Sequence, residues 1–182
     1  MSELKSLEEA NACSAIRLTL KRQRGKAGDI FRLSPAPGVF VWGRLIKRAS
    51  FFGLNADFNL VYIYNAVGPE RPGPEVLVPS NLMFGPAVVN SLGFSRGYWE
   101  IIASEPLRTT DILAHHRFVE FKGTGSPDDY DLVDEAGTKL RANHSESDRF
   151  LSQSGFGNYN AIDWRLQGVL RARGSSPATT AG

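Results

Sequence analysis

The side chains whose types could carry chemistry are the adjacent pair His115-His116, the acidic run Asp128, Asp129, Asp131, Asp134 and Glu135, the lone Cys13, and the glycines flanking Thr124. Each lacks a partner that its chemistry demands. Successive residues of a strand point to opposite faces, so His115 and His116 cannot grip one ion together, and His144 stands apart in a polar stretch. A calcium-loop pattern laid over Asp129 and Asp131 puts Val133 where an oxygen ligand belongs, and no central glycine follows. Asp134 and Glu135 are neighbouring carboxylates in a turn, where both stay hydrated and ionised instead of dividing acid and base roles. Cys13 lies in a polar leader, and no Gly-x-Ser-x-Gly elbow presents a serine. Gly123-Thr124-Gly125 runs into Ser-Pro-Asp, not into a third glycine and a helix, so no phosphate cradle is completed. The residues point to a chain that is not an enzyme and that holds no metal and no cofactor.

What remains is surface charge. The formal net charge is only +2, but it is unevenly placed. Arg17, Lys21, Arg22, Arg24 and Lys26 form a basic run with no acidic residue among them, and the acidic run follows far downstream. With Phe40 and Trp42 nearby in sequence, the Arg17 to Lys26 stretch offers one alternative, a small β-barrel nucleic-acid module that holds phosphates with cations and stacks bases on aromatics. The same cations also serve to keep a strand edge from pairing, and the acidic run offsets long-range attraction to phosphate. A protein partner is the better supported class. Its candidate contacts are Asp128, Asp129, Asp131, Asp134 and Glu135, together with Arg96 and with Tyr98 on the wet face of its strand. Were the partner a nuclease, the aspartates would mimic a phosphate backbone.

A single cysteine permits no internal disulfide and fits a reducing cytoplasm. The first residues are charged without an apolar run, and no later segment reaches membrane-spanning length, so no membrane association is expected. A strand edge left open is where a weak homodimer would form.

The elements that must position these residues are short. Among 182 residues are 18 glycines and 10 prolines, which cut the middle of the chain into strands and turns. Alternation predicts a strand over Ile16, Leu18 and Leu20, with the basic residues on its wet face. Gly28-Asp29 predicts a turn into Ile30–Leu33, and Val39–Ile46 follows as a strand in which Gly43 marks a bulge or a close backbone approach. Leu60-Val61-Tyr62-Ile63-Tyr64 is the strongest strand signal. Of Tyr62, Tyr64, Tyr98 and Trp99 half are expected in the core, which leaves Tyr98 and one tyrosine face as candidate contacts. Val67 to Pro74 reads as an exposed loop, and Val76–Val78 as a short strand stopped by Pro79. Gly97–Ile102 and His116–Phe121 read as strands, and Tyr130–Val133 with Thr138–Leu140 as a hairpin whose Gly137 takes positive φ. Ile162, Leu166 and Val169 recur at helical spacing, with Asn160 as the candidate cap of a helix reaching Arg171. The expected organisation is a flexible leader over 1–12, one domain over 13–173 and a disordered tail over 174–182. The fold class is α+β and mostly β: a curved antiparallel sheet, or a partly closed SH3-like barrel, with a C-terminal helix packed on it.

Gly28-Asp29-Ile30-Phe31, a Pro/Gly turn and Trp42-Gly43-Arg44-Leu45-Ile46 stand in an order that resembles the opening of the immunity protein 26 family of bacterial toxin conflict systems. Leu60 to Tyr64, Leu77-Val78-Pro79, Gly93 to Trp99, Tyr130 to Gly137 and Gly155-Phe156-Gly157-Asn158-Tyr159 continue that order, so the likeness covers about Gly25 to Leu170. Two departures stand beside it. The family often carries a cysteine near the strand that here reads His116-Arg117-Phe118, and Met1 to Ala12 finds no counterpart. The resemblance implies a protein made beside a secreted toxin that holds this cognate toxin inactive by direct binding. It transfers no catalytic residues. The matching positions Gly28, Asp29, Gly43, Gly97 and Gly137 are structural, and contact residues vary with the toxin.

Overall fold

A computed structural model describes residues 15–122, 129–140, 151–153 and 157–174. The expectations for the leader, for nearly all of the tail, and for Cys13, Gly123-Thr124-Gly125, Asp128, His144 and Gly155-Phe156 lie outside the described residues.

The main sheet is built from β1 (Asp29–Ala36), β2 (Val39–Ala49), β3 (Phe58–Val67), β4 (Ala87–Val89) and β5 (Trp99–Ser104). Its order is β4-β3-β2-β1-β5, and every neighbouring pair is antiparallel. The sheet stays open and does not close into a barrel, so of the two forms expected it takes the first. A smaller sheet joins β6 (Phe118–Phe121), β7 (Tyr130–Val133) and β8 (Ser152–Gln153). Helix α1 (Leu92–Ser95) is a single turn, and α2 (Tyr159–Ala172) is the one long helix among the described residues.

The main sheet is buried on both faces, which is unusual for an antiparallel sheet and explains the unbroken apolar run in β3. Phe31, Leu33, Val41, Leu45, Val61 and Ile63 face one core, where Ile162 and Leu166 of α2 close over them. Ile30, Trp42, Ile46, Leu60, Tyr62 and Tyr64 face the other, closed by Leu77 from a loop and by Phe118 and Val133 of the small sheet. The period-two alternation of the strands sorts neighbouring residues between the two cores. Tyr62 and Tyr64, two residues apart, share one face and are both buried, so that face is not the exposed one left open by the sequence.

Other expectations are corrected. Residues 17–26 form no strand: Ile16 makes one isolated bridge to Ser34. Beyond it, the N–H groups of Leu18 and Thr19 both donate to the Gly97 carbonyl, at 2.8 and 3.1 Å, which leaves no ladder to extend. Val76–Val78 is not a strand either. Leu77 drops into the core, Asn81 ties its side chain to the Val76 carbonyl at 2.9 Å, and Pro79 opens a 3-10 turn. The cap of α2 is Asn158, whose Oδ1 accepts from the N–H groups of Asn160 and Ala161 at 2.9 and 3.1 Å. Asn160 lies inside the helix.

Candidate functional site

Around the hairpin that follows β7, a chain of polar side chains runs from the surface into the core. Lys47 of β2 reaches Glu135 at 2.6 Å. The other carboxylate oxygen of Glu135 meets Nδ1 of His116 at 2.6 Å. Nε2 of His116 meets the Tyr62 hydroxyl at 2.5 Å, and that oxygen accepts from the Leu113 N–H at 3.0 Å. Ala114, His115, His116, Arg117, Asp134, Glu135 and Leu140 line the cleft of about 420 Å³ above it.

The protonation states follow from the surroundings. Burial pushes His116 below its ordinary value of 6.5, outweighing the upward pull of Glu135, with Lys47 and His115 adding to the downward side. A neutral ring beside a carboxylate must donate from Nδ1, so Nε2 accepts and the Tyr62 hydroxyl donates to it. Burial raises Tyr62 to about 12, so it keeps its proton. For Glu135 burial alone would raise the value, but the hydrogen bonds from Lys47 and His116 outweigh it and hold the carboxyl low. The order base, orienting carboxylate and hydroxyl is that of a nucleophile triad, but the hydroxyl belongs to Tyr62, which is 0% exposed. The relay therefore fastens the 112–116 loop and the hairpin to β2 and β3.

Acid should loosen this fastening. The folded value of His116 lies below the unfolded one, so below about pH 6.5 the unfolded chain takes up a proton that the folded chain refuses, and stability falls as pH drops through that window. Glu135, held low when folded, adds a loss of the same sign at more acid pH. Urea unfolding at about pH 5.5 and 7.5 should show a lower midpoint at the acid value, with the difference reduced in His116→Gln. Equal midpoints in the wild-type protein would contradict the assignment.

A second polar group lies deeper. Arg44 of β2 and Asp111 are 3% and 1% exposed at their side chains and pair at 3.0 Å. Asp111 also accepts from the backbone N–H of Arg108 at 3.0 Å and from its guanidinium at 2.9 Å. Arg44 adds bonds to the carbonyls of Glu105 and Pro106, at 3.2 and 3.1 Å. No sequence pattern marked this pair, because Arg44 and Asp111 are far apart in the chain and nothing periodic links them.

The residues nominated as partner contacts separate into two places. Asp129 and Asp131 both pair with Lys122, at 3.2 and 3.3 Å, and Asp131 pairs again with Lys139 at 2.5 Å. Asp134 accepts from the N–H groups of Ala136 and Thr138, at 2.8 Å each, and so closes the hairpin turn. With Glu135 in the relay, each described carboxylate of the acidic run already has an internal partner. Arg96 and Tyr98 flank the start of β5, where the half-buried Tyr98 stacks on Tyr159 of α2 with centroids 4.1 Å apart, and Arg96 stays exposed. Of the structural positions, buried Asp29 accepts from the Lys26 N–H at 2.8 Å. Gly28, Gly97 and Gly137 take positive φ, and Gly43 lies against the Phe31 ring where the β2–β3 register shifts.

The basic run fares differently. Arg17, Lys21, Arg22, Arg24 and Lys26 are all exposed. Of the aromatics near them in sequence, Trp42 is buried with its indole N–H on the Gly68 carbonyl at 3.0 Å, and half-buried Phe40 has one ring face occupied by Arg32 at 4.7 Å.

Compared with known proteins, the chain matches the model of one family, immunity protein 26, over residues 26–125. That is more than half of the chain, from the end of the basic run through β6. The likeness read from the sequence ran further, to about Leu170. No match was found among curated proteins or solved structures.

Proposed function

This chain belongs to the immunity protein 26 family, and we propose that it binds a cognate bacterial toxin and neutralises it by direct protein–protein contact, without turning over a substrate. The observation that carries this is the family match over 26–125, the stretch that builds the whole five-stranded sheet. Immunity proteins take their name from protecting a cell against a toxin, and occlusion is the simplest route for a fold of this kind. A sheet packed on both faces is a rigid platform, which lowers the ordering cost of forming a complex. The polar chemistry is compatible with the same role, since the members of the Tyr62–His116–Glu135–Lys47 relay bond to one another and Asp111 is paired with Arg44. No described helix is long and apolar enough to cross a membrane, and we place the protective action in the cytoplasm, where an incoming toxin meets its target.

Co-expression tests this. A bacterial host making the toxin domain encoded beside this chain should stop growing, and growth should return when the chain is co-expressed. Continued arrest, with both proteins present in the soluble fraction, would refute the proposal.

A further inference from the structure

We infer that the exposed basic strap formed by residues 17–26 is the surface that engages the toxin, and that it fits an acidic protein face. This rests on the reading of the chain as an immunity protein. Arg17, Lys21, Arg22, Arg24 and Lys26 all project into solvent, and the ion pairs among the described residues include none of them. The aspartates first nominated for binding are the neutralised ones; these cations are not.

The strap is also held in place. The Gly97 carbonyl accepts from Leu18 and Thr19, and the Gln23 N–H donates to the Phe94 carbonyl at 3.4 Å. The Gln23 Oε1 accepts from the Ile101 N–H on the outer edge of β5 at 3.0 Å. Gly25 is buried against Leu45 and Phe94, leaving no room for a side chain. Fastened at these points, the segment presents its cations without the ordering cost of a free tail. Leu20, 83% exposed, stands among them as an apolar contact of the kind that interfaces bury inside a charged rim.

An acidic protein suits this surface better than nucleic acid, since of the aromatics nearest the cations in sequence Trp42 is buried and one face of Phe40 is taken by Arg32, which weakens a base-stacking platform there. The strap lies almost wholly ahead of the family-matched residues 26–125.

The experiment compares association rates with the catalytically inactivated toxin domain encoded beside this chain. Lys21→Glu/Arg22→Glu should slow association by about tenfold to a hundredfold at low salt, with the gap shrinking as salt is added. Lys21→Ala/Arg22→Ala should act in the same direction and less strongly. Arg171→Glu/Arg173→Glu makes the same change in net charge on α2 and beyond its end, and should leave the rate within about twofold. Circular dichroism and thermal melts confirm that each variant folds. If strap and helix variants slow association equally, or neither does while the wild type binds, the strap assignment is overturned and the toxin reading stands. If the wild type ignores the toxin domain but binds a labelled single-stranded oligonucleotide with a steep salt dependence, both are overturned in favour of a nucleic-acid surface. If it binds neither, both fall as well.

Discussion

Asp111→Ala is expected to lower the free energy of unfolding by about 3–5 kcal/mol, because it leaves the Arg44 guanidinium charged and without its carboxylate in the core. The partners differ in their access to water. Arg108 is 60% exposed at its side chain and can turn outward when Asp111 is lost. Arg44, at 3%, cannot, and keeps only the carbonyls of Glu105 and Pro106. The pair need not be a net source of stability, since two charges taken out of water repay little more than their own dehydration. Arg44→Met/Asp111→Leu should therefore recover most of the loss, ending within about 2 kcal/mol of the wild type. Urea unfolding of the two single variants and the double variant measures the coupling. A single Asp111→Ala loss below about 1 kcal/mol would show that Arg44 is solvated after all.

Gly28→Ala is expected to cost roughly 2–4 kcal/mol, from two sources that can be separated. Gly28 has φ +91°, a conformation that charges any L side chain about 1–2 kcal/mol; a Cβ there would also come within 2.2 Å of the Glu105 carbonyl oxygen. That carbonyl cannot simply yield. Its residue donates its own N–H to the Gly28 oxygen at 3.1 Å, and the carbonyl accepts from Arg44 at 3.2 Å. Gly38→Ala supplies the comparison, because Gly38 has φ +73° with nothing within 4 Å of its would-be Cβ. It should lose only the conformational part. If the two variants unfold at the same urea concentration, the close approach at Gly28 contributes nothing.

Much of this architecture was legible in the chain. The β-branched and aromatic runs located β1, β2, β3 and β5, turn glycines located the hairpin after β7, and Ile162, Leu166 and Val169 located α2. Two things misled. Alternation over Ile16 to Leu20 looked like a strand, yet whether such a segment pairs depends on which carbonyls lie within reach, and here Gly97 takes two donors at once. The face that carries Tyr62 and Tyr64 could have been wet, because an antiparallel sheet commonly keeps one face in solvent; only the packing of Phe118, Val133 and Leu77 over that face reveals the second core.

The candidate site was less legible for the same reason. His116, whose neighbour His115 cannot share a metal ion with it, takes its role from Tyr62 and Glu135, which no local spacing connects to it. The acidic and basic runs were both visible as composition. Which of them is already neutralised depended on Lys122, Lys139 and Lys47, residues that only the folded chain brings to the carboxylates.

The most direct test of the central claim is an activity titration: the purified toxin domain, assayed on its own substrate, with increasing amounts of this protein. Stoichiometric inhibition ending at one molecule per toxin, accompanied by a stable complex on gel filtration, is the expected result. Full toxin activity at a large molar excess of folded protein would contradict the account.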